Sequence, residues 1–243
     1  MIFEHGNFAE ALRMGLRAWN LNDLEDRIPA MAHFAELVLD ANRELNLTRI
    51  VEPREMAVKN FLDSLSILML EWPAQLRCLD LGTGAGFPGV PLALAREGWE
   101  LMLLDSLRKR LAFLDRAAAE LELPNVGTLH ARAEDAGKDP EHREVYDLVV
   151  SRAVASLPVL LELGTPLVKV GGFFAAYKSG EVDAEIQSAA AAMEAMHVGL
   201  ERVFPLQLPF DLGERTILLF KKTAPTPGSY PRRAGIPEKR PLR

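Results

Sequence analysis

Several residue types and sequence features are scarce in this chain, and each scarcity excludes a class of protein. Its 243 residues include a single cysteine, Cys78, which excludes a disulfide scaffold and a cysteine-rich zinc module. No stretch approaches the roughly 18 uninterrupted apolar residues that span a membrane. The first residues also lack the basic start and apolar run of a signal peptide. We therefore expect a cytoplasmic protein with no membrane partner.

An excess of positive charge is also missing. The net charge is −6, which excludes a protein that binds nucleic acid through a wholly basic surface. The charge is nevertheless uneven, because residues 221–243 contain seven basic residues and one acidic residue, which leaves −12 for residues 1–220. A basic terminal segment on an acidic body hints at a polyanionic partner, and a solvated tail has the same composition.

Three segments of the chain differ in the spacing of their apolar residues. Residues 1–72 carry apolar side chains at helical spacing and no strand-like alternation, which predicts a small helical cap. Residues 73–222 alternate strand-like and helix-like runs, the pattern of a mostly parallel α/β sheet covered on both faces. Residues 223–243 are rich in proline and glycine and predict an irregular, extended segment.

The apolar runs also place the individual elements. Helices of the cap are predicted around 8–19, 31–41 and 54–71; strands at 78–81, 100–105, 126–130, 146–151, 172–177, 201–208 and 215–221; and further helices at 88–97, 107–122, 155–168 and 182–197. The last two strands have no helix between them, and residues 209–213 have the composition of a hairpin turn. We therefore expect the sheet to end with an antiparallel strand.

The most informative motif is a glycine-rich loop at 80–89, which follows a predicted strand and opens a predicted helix. Ligands of open α/β sheets bind at this position, beyond the carboxyl ends of the strands. Glycines fall at 82, 84 and 86, whereas a dinucleotide fingerprint needs glycine at Phe87. The Lys-Ser/Thr ending of a phosphate-binding P-loop is absent too. The spacing therefore argues against an NAD-dependent oxidoreductase and against a P-loop protein.

An acidic residue ends the next predicted strand. Asp105 lies 23 residues after Gly82, and a carboxylate at that position can accept hydrogen bonds from both hydroxyls of a ribose. No feature of the loop requires a pyrophosphate group in the ligand, so a nucleoside with a zwitterionic tail is compatible with this site. A tight strand-to-helix turn would explain the loop alone. The loop, its context and the acid together favour S-adenosylmethionine as the cofactor.

Two later strand ends supply further candidates. Ala133 and Glu134 follow the third predicted strand, where the adenine is expected, and a surface acid in a loop is the alternative there. Arg152 ends the fourth strand, where a methyl acceptor meets the cofactor in this architecture. An arginine that serves only as a loop or helix-cap cation explains that position equally well.

The motifs of this chain resemble those of the bacterial guanine-N7 methyltransferases of small-subunit ribosomal RNA, also called the glucose-inhibited division B family. The resemblance covers nearly the whole chain. It rests on Asn46-Leu47-Thr48, Leu62-Asp63-Ser64-Leu65, Asp80 to Gly89, Leu104-Asp105-Ser106 with Lys109-Arg110, Arg132-Ala133-Glu134, Ser151-Arg152-Ala153, Lys169 to Gly172 and Pro231 to Pro237. One position departs from the pattern, because the family usually has histidine where this chain has Asn60.

This resemblance implies a class I, Rossmann-like methyltransferase sheet and methylation of N7 of one guanine in 16S rRNA. The implied target is guanine 527 in the helix-18 loop, within rRNA or the small ribosomal subunit, and the enzyme is expected to act as a monomer. Cofactor contacts are implied for Gly82, Phe87, Asp105, Ser106, Leu107, Ala133, Glu134 and Arg152, to which the glycine loop adds Asp80, Gly84 and Gly86. Catalytic, substrate-side roles are implied for Arg152 and Lys178. RNA contacts are implied for Lys109 and Arg132, and the basic terminal cluster adds Arg232, Arg233, Lys239 and Arg240.

The chemistry of guanine N7 agrees with what the sequence lacks. N7 carries an available lone pair, so no proton has to be removed and the enzyme needs alignment more than a general base. Cys78 has the setting of an interior strand residue and not of a nucleophile. The five histidines show no metal-ligand spacing, so no metal is expected. A donor placed on N7 would block the reaction, so Arg152 is expected to contact O6, a phosphate or the ring face of a base held in an opened loop.

Two other functions remain open at this point. The chain could methylate another RNA or a small molecule with the same fold, or it could sense the cofactor without turnover. The basic terminal run disfavours a small-molecule substrate, and Arg152 together with the matching motifs disfavours a sensor.

Overall fold

The computed structural model describes residues 4–152 and 155–242. Ala153, which belongs to one of the motifs above, lies outside the described residues. Within these ranges the chain forms a seven-stranded sheet with helices on both faces, a helical cap before the sheet and an irregular segment after it. No described helix is both long enough and apolar enough to cross a membrane.

The cap consists of the helices that the apolar spacing predicts. It begins with α1 (His5–Ala18), a 3-10 turn (Asn22–Arg27) and α2 (Ile28–Leu45), whose first turn accommodates a proline. The third predicted helix is segmented into α3 (Pro53–Met56), a π-helical segment (Ala57–Leu62), α4 (Asp63–Leu65) and a 3-10 turn (Ser66–Met69). π-helical turns occur frequently at functional sites, and this one lies in the part of the cap that packs against the sheet.

Four phenylalanine rings join the cap to the glycine loop. Phe8, Phe34 and Phe61 come from the cap and Phe87 from the loop, and neighbouring rings lie 5.0 to 6.0 Å apart between centroids. All four rings belong to one hydrophobic core that also includes residues of the sheet. The cap therefore fixes one side of the glycine loop and is not a separately packed unit.

The sheet has the strand order β3-β2-β1-β4-β5-β7-β6. Its strands are β1 (Leu76–Leu81), β2 (Trp99–Asp105), β3 (Val126–His130), β4 (Tyr146–Arg152), β5 (Val168–Lys178), β6 (Val198–Gln207) and β7 (Glu214–Lys222). β1 to β5 run parallel, and β7 runs antiparallel to both of its neighbours. The expected antiparallel strand is thus β7, the last strand along the chain. It lies between β5 and β6 because its run 216–220 is buried, whereas β6 is largely exposed and suits the edge.

Alternate residues of the strands face two different cores. Cys78 of β1 packs with the cap, α5 (Gly89–Ala95) and α6 (Arg108–Glu120). Leu79 of the same strand packs with α8 (Leu157–Gly164) and α10 (Ala190–Met196), which follows α9 (Asp183–Ser188). Burial on both faces explains why the strands were recognisable as near-continuous apolar runs.

The basic C-terminal segment packs against α7 (Ala133–Ala136) and α8. The guanidinium of Arg143 donates hydrogen bonds to the carbonyl oxygens of Thr226 at 2.7 Å and Tyr230 at 2.9 Å. The segment ends in the short helix α11 (Ile236–Lys239), which contacts α8. The sequence did not predict α7 and α11, because four residues are too few to show a helical period.

Candidate active site

The glycine loop lies where it was predicted, between β1 and α5. Gly82, Gly84 and Gly86 all have positive φ, which an L side chain rarely adopts. The N–H groups of Gly82 and Thr83 donate to the carbonyl of Leu104 at 2.9 and 3.0 Å, which ties the loop to the end of β2. A Cβ at Gly86 would lie 2.9 Å from the ring of Phe34, so that glycine serves packing against the cap.

Asp80 holds the loop from behind. Its Oδ2 accepts hydrogen bonds from the Thr83 hydroxyl at 2.7 Å and the Gly89 N–H at 2.8 Å. The side chain is fully buried, and this burial raises the pKa of Asp80 to about 6. Asp80 was predicted to bind the cofactor, but the structure places it beneath the loop, where it positions the residues that line the cavity above.

A cavity of about 480 Å³ opens above the loop, within the size range of small-molecule sites. Seven of the predicted cofactor residues line it, namely Gly82, Gly84, Phe87, Asp105, Ser106, Ala133 and Arg152. The cap contributes Leu47, Thr48 and Asn60 to the opposite wall. Four predicted cofactor residues do not line this cavity: Asp80, Gly86, Leu107 and Glu134.

Asp105 is the buried carboxylate of this cavity. Its Oδ1 accepts from the N–H of Leu107 at 2.8 Å, and its Oδ2 accepts from the N–H of Gly84 at 3.1 Å and from Nη1 of Arg110 at 3.3 Å. An ionised carboxylate offers about four acceptor sites, and three are used here, so one remains for a ligand hydroxyl. Leu107 therefore contributes through its backbone, and Arg110 is a site residue that was not predicted.

Glu134 and Arg232 are engaged inside the protein. Oε1 of Glu134 accepts from the N–H of Gly235 at 2.8 Å. Arg232 donates from Nε to Oε1 of the fully buried Glu162 at 2.8 Å and from Nη2 to its Oε2 at 2.5 Å. This hydrogen bonding raises the pKa of Arg232 above its usual value. Arg232 was predicted to bind RNA, and the structure instead places its guanidinium against Glu162.

The other predicted RNA contacts lie at the surface. Lys109 and Arg132 are exposed near the ends of β2 and β3. Arg233, Lys239 and Arg240 are exposed on the C-terminal segment. Their exposure is compatible with a role in RNA binding, which remains a prediction.

A second cavity of about 460 Å³ adjoins the first. Its lining residues are Ile50, Asn60, Asp63, Arg152, Tyr177, Lys178, Ser179, Glu185 and Arg215. Asn60 and Arg152 line both cavities, so these two side chains form a shared wall. The two predicted catalytic residues, Arg152 and Lys178, therefore meet in one cavity.

Arg152 is held at the shared wall by the cap. Its Nη1 donates to the carbonyl of Lys59 at 2.7 Å and to Oδ2 of Asp63 at 3.1 Å. Its guanidinium carbon also lies 5.3 Å from the centroid of the Phe87 ring. These contacts leave a fixed cation at the junction of the two cavities.

Lys178 and Arg215 complete the second cavity. Nζ of Lys178 donates to Oε1 of Glu185 at 2.6 Å and to the carbonyl of Ala155 at 3.2 Å. Nε of Arg215 lies 3.3 Å from Oδ1 of Asp63. Among the described residues, neither cavity is lined by a histidine or a cysteine, and the pKa of the buried Cys78 thiol is raised by burial.

Comparison with known proteins identifies the family. The model of the GidB family, described as rRNA small subunit methyltransferase G, matches residues 27–209. The chain belongs to this family. It is 42% identical over 232 residues to the ribosomal RNA small subunit methyltransferase G of Desulforamulus reducens, which covers 95% of this chain and 97% of the relative. It is 44% identical over 238 residues to the protein of that name from Symbiobacterium thermophilum, covering 95% and 96%.

Comparison with solved structures shows that the chain has the fold of Rossmann-like methyltransferases. M. jannaschii TYW2 in complex with AdoMet superposes with a TM-score of 0.55, at 15% identity, over 73% of this chain and 81% of that one. The antibiotic-resistance methyltransferase Kmr gives 0.51, at 16% identity, over 65% and 96%. The predicted family and fold class are thereby confirmed.

Several residues that line the two cavities had no predicted role. Leu47, Thr48 and Asp63 belong to two motifs on which the resemblance was based, yet no function had been attached to them. Asn60 had been noted only as a departure from the family histidine. Arg215 lies in none of the quoted motifs, so nothing in the sequence pattern singled it out.

Proposed function

We propose that this protein transfers a methyl group from S-adenosylmethionine to N7 of a guanine in 16S rRNA, guanine 527 of the helix-18 loop. The observation that carries the proposal is the pair of adjoining cavities that share Asn60 and Arg152. One cavity fits a cofactor, the other a base, and the shared wall is where the two ligands would meet. Family membership supports the same reaction.

The residues of the first cavity fit S-adenosylmethionine. Asp105 offers a buried carboxylate for a ribose hydroxyl, and the glycine loop allows close approach of a ligand to the backbone. Ala133 and Leu163 provide an apolar end for the adenine. When bound, the cofactor supplies an electrophilic methyl group. The protein contributes the position of that group relative to the second cavity.

The second cavity suits a purine that has left its stack. A stacked base hides its N7, so the target must come from a single-stranded or opened loop. Arg152 and Lys178 place positive charge around the cavity, and their acidic partners Asp63 and Glu185 keep both side chains fixed. Fixed cations can orient a nucleotide through O6, through a phosphate or by stacking, and none of these contacts occupies N7.

The side chains of the site match a reaction that needs no proton abstraction. N7 reacts through its own lone pair, so a nucleophile or a general base would add nothing, and neither a cysteine nor a histidine lines either cavity in the described chain. Catalysis then rests on bringing the two reactants together in a productive alignment. Arg152 is the group best placed to impose that alignment, because it is tied to the cap and faces both cavities.

Further features of the proposal concern the partner. We place the RNA on the exposed basic residues Lys109, Arg132, Arg233, Lys239 and Arg240. The substrate is 16S rRNA or the small ribosomal subunit, and the protein acts in the cytoplasm as a monomer. An acidic body that carries a basic C-terminal segment suits an enzyme that binds one folded RNA loop selectively and then releases it.

The test is a methyl-transfer assay with a mapped product. The protein is incubated with labelled S-adenosylmethionine and with unmodified 16S rRNA or 30S subunits, and the labelled nucleotide is located in the RNA. We expect label on N7 of one guanine in the helix-18 loop. Label on another base type, or on no nucleotide of either substrate, contradicts the proposed function.

A further inference from the structure

Asn60 is a buried residue whose side-chain NH₂ group lacks a hydrogen-bond acceptor in the described part of the chain. The residue is 4% exposed, and its Nδ2 has no hydrogen-bond partner among the described residues. A buried donor without a partner is destabilising, so such groups in native proteins call for an explanation. Because Asn60 lines both cavities, a ligand is the candidate partner.

The contacts around Asn60 determine which end of its amide is free. Nη2 of Arg152 lies 3.5 Å from Oδ1 of Asn60. A guanidinium is a donor only, so the amide atom that faces Arg152 must be the oxygen, and the NH₂ group must point elsewhere. Nδ2 is itself buried, so it reaches a ligand in the cavity by rotation about the terminal torsion of asparagine, which is broad.

The backbone around Asn60 is held in place. The residue lies in the π-helical segment Ala57–Leu62, a local structure found often at functional sites. The carbonyl of Asn60 accepts from the Ser64 hydroxyl at 2.5 Å, and the preceding carbonyl, of Lys59, accepts from Arg152 at 2.7 Å. Arg152 therefore binds both the backbone and the side chain of this turn, which fixes the amide relative to the shared wall.

The edge of the target purine supplies the complementary group. Guanine carries O6, an acceptor, next to N7 on the same edge, whereas adenine carries an amino group, a donor, at that position. A base whose N7 faces the shared wall therefore brings its C6 substituent to the same wall. A fixed NH₂ group there accepts guanine and opposes adenine.

We propose that Nδ2 of Asn60 donates a hydrogen bond to O6 of the target guanine and that Asn60 is a specificity-determining residue. This inference rests on the proposed function. Two side chains of the shared wall then have different roles. Arg152 fixes the orientation of the amide and supplies positive charge, and Asn60 distinguishes guanine from adenine. A histidine, the usual family residue here, could make the same bond through a ring N–H.

The experiment compares two bases at one position of the RNA. The target guanine of 16S rRNA is replaced by 2-aminopurine through splinted ligation, and both RNAs are assembled into 30S subunits. 2-Aminopurine keeps N7 and the 2-amino group and lacks O6. Methyl transfer is measured for the wild-type protein and for Asn60→Ala, Asn60→Asp and Asn60→His. The cofactor Kd is measured separately by calorimetry, and the melting temperature checks the fold.

The expected result is a loss of discrimination that is specific to O6. Loss of one hydrogen bond to a buried group corresponds to about a 10- to 100-fold effect. Asn60→Ala should slow methyl transfer to guanine by that factor and leave the rate for 2-aminopurine unchanged, because 2-aminopurine has no O6 to lose a bond. Each base is compared with itself in the two proteins, so differences in intrinsic reactivity between the bases do not enter. Asn60→Asp should slow guanine at least as much, and Asn60→His should retain the preference for guanine.

Two outcomes would overturn the inference. One is a guanine preference over 2-aminopurine that survives in Asn60→Ala. The other is a rise in cofactor Kd in Asn60→Ala as large as the loss in rate, which would assign the amide to the cofactor. Failure of the wild-type protein to methylate any guanine is a different result, because it contradicts the proposed function itself.

Discussion

Arg152 and Asp63 form an ion pair at the wall between the two cavities, with Nη1 of Arg152 3.1 Å from Oδ2 of Asp63 and side chains 17% and 4% exposed. Asp63 also faces Nε of Arg215 through its other oxygen at 3.3 Å. One buried carboxylate from the cap therefore aligns two cations of the second cavity. Breaking such a pair by removing one partner leaves an uncompensated charge, which costs about 3–5 kcal/mol in buried settings.

Replacement of Arg152 should strongly reduce methyl transfer while the fold persists. Arg152→Ala removes the fixed cation at the shared wall, and groups that stabilise a transition state through charge typically contribute about 100- to 1000-fold in rate. We expect a loss of that size in methyl transfer to 16S rRNA, with a cooperative melting transition retained. Arg116→Ala, on the exposed face of α6, is the matched control and should keep wild-type activity. Unchanged turnover in Arg152→Ala would contradict the role.

Asp63→Asn tests the alignment itself. The amide keeps the shape of the side chain but releases Arg152 and Arg215 from their shared charge partner. Steady-state kinetics should show a fall in kcat with little change in the KM for S-adenosylmethionine, because Asp63 does not line the first cavity. A variant that raises only the cofactor KM would instead connect Asp63 with the cofactor site.

Asp105→Asn should weaken the cofactor selectively. A hydrogen bond to a charged group contributes about 1.5–3 kcal/mol, which corresponds to about a 10- to 100-fold rise in Kd if the ribose contact is lost. Titration calorimetry with S-adenosylmethionine measures the change. Glu100→Gln, at an exposed position of the same strand, serves as the control. A Kd within twofold of wild type would remove the ribose assignment.

Local patterns predicted much of the fold and half of the site. The strands were recognisable because burial on both faces gives continuous apolar runs, and the loop at 80–89 because glycine punctuates a strand-to-helix turn. Asp105 and Arg152 were predicted as site residues because each ends an apolar run that was recognisable as a strand. Each of these signals is contained within about ten neighbouring residues.

Features that depend on distant parts of the chain were not predictable in this way. Asn60 and Asp63 belong to a cap helix, and only the packed structure brings them beside Arg152. The pairing of Arg232 with Glu162 joins residues 70 positions apart, so composition alone assigned Arg232 to a basic, RNA-binding cluster. The place of β7 between β5 and β6 likewise follows from burial of its run 216–220, which a hairpin turn does not reveal.

The buried Asp80 should make stability depend on pH. Its pKa rises from 3.8 to about 6 in the folded protein, so folding takes up a proton within this interval. The contribution of Asp80 to the free energy of unfolding should therefore be largest at the acid end of this interval and fall by roughly 1.4 kcal/mol per pH unit as pH rises through it. Urea unfolding of wild type and Asp80→Asn isolates this contribution: the wild type should lose stability relative to the variant up to about pH 6. Parallel profiles would show that Asp80 does not titrate there.

The neighbouring residues Arg232 and Arg233 should separate structural from RNA-binding charge on the C-terminal segment. Arg232→Gln leaves the fully buried Glu162 without its cation, so we expect a loss of about 3–5 kcal/mol in unfolding free energy, recovered in part by Glu162→Gln in the double variant. A weaker affinity for S-adenosylmethionine should accompany the loss, because Leu163 beside Glu162 lines the first cavity.

Arg233 is exposed and provides the matched control. Arg233→Gln should keep the stability and cofactor affinity of the wild type, but it should weaken binding to 16S rRNA and lower the slope of log K against log salt by about 0.7–0.9 for one lost phosphate contact. Filter binding over a range of salt concentrations measures that slope. The opposite pattern, a salt effect in Arg232→Gln and a stability loss in Arg233→Gln, would show that the guanidinium of Arg232 faces the RNA and that its pairing with Glu162 does not hold the segment.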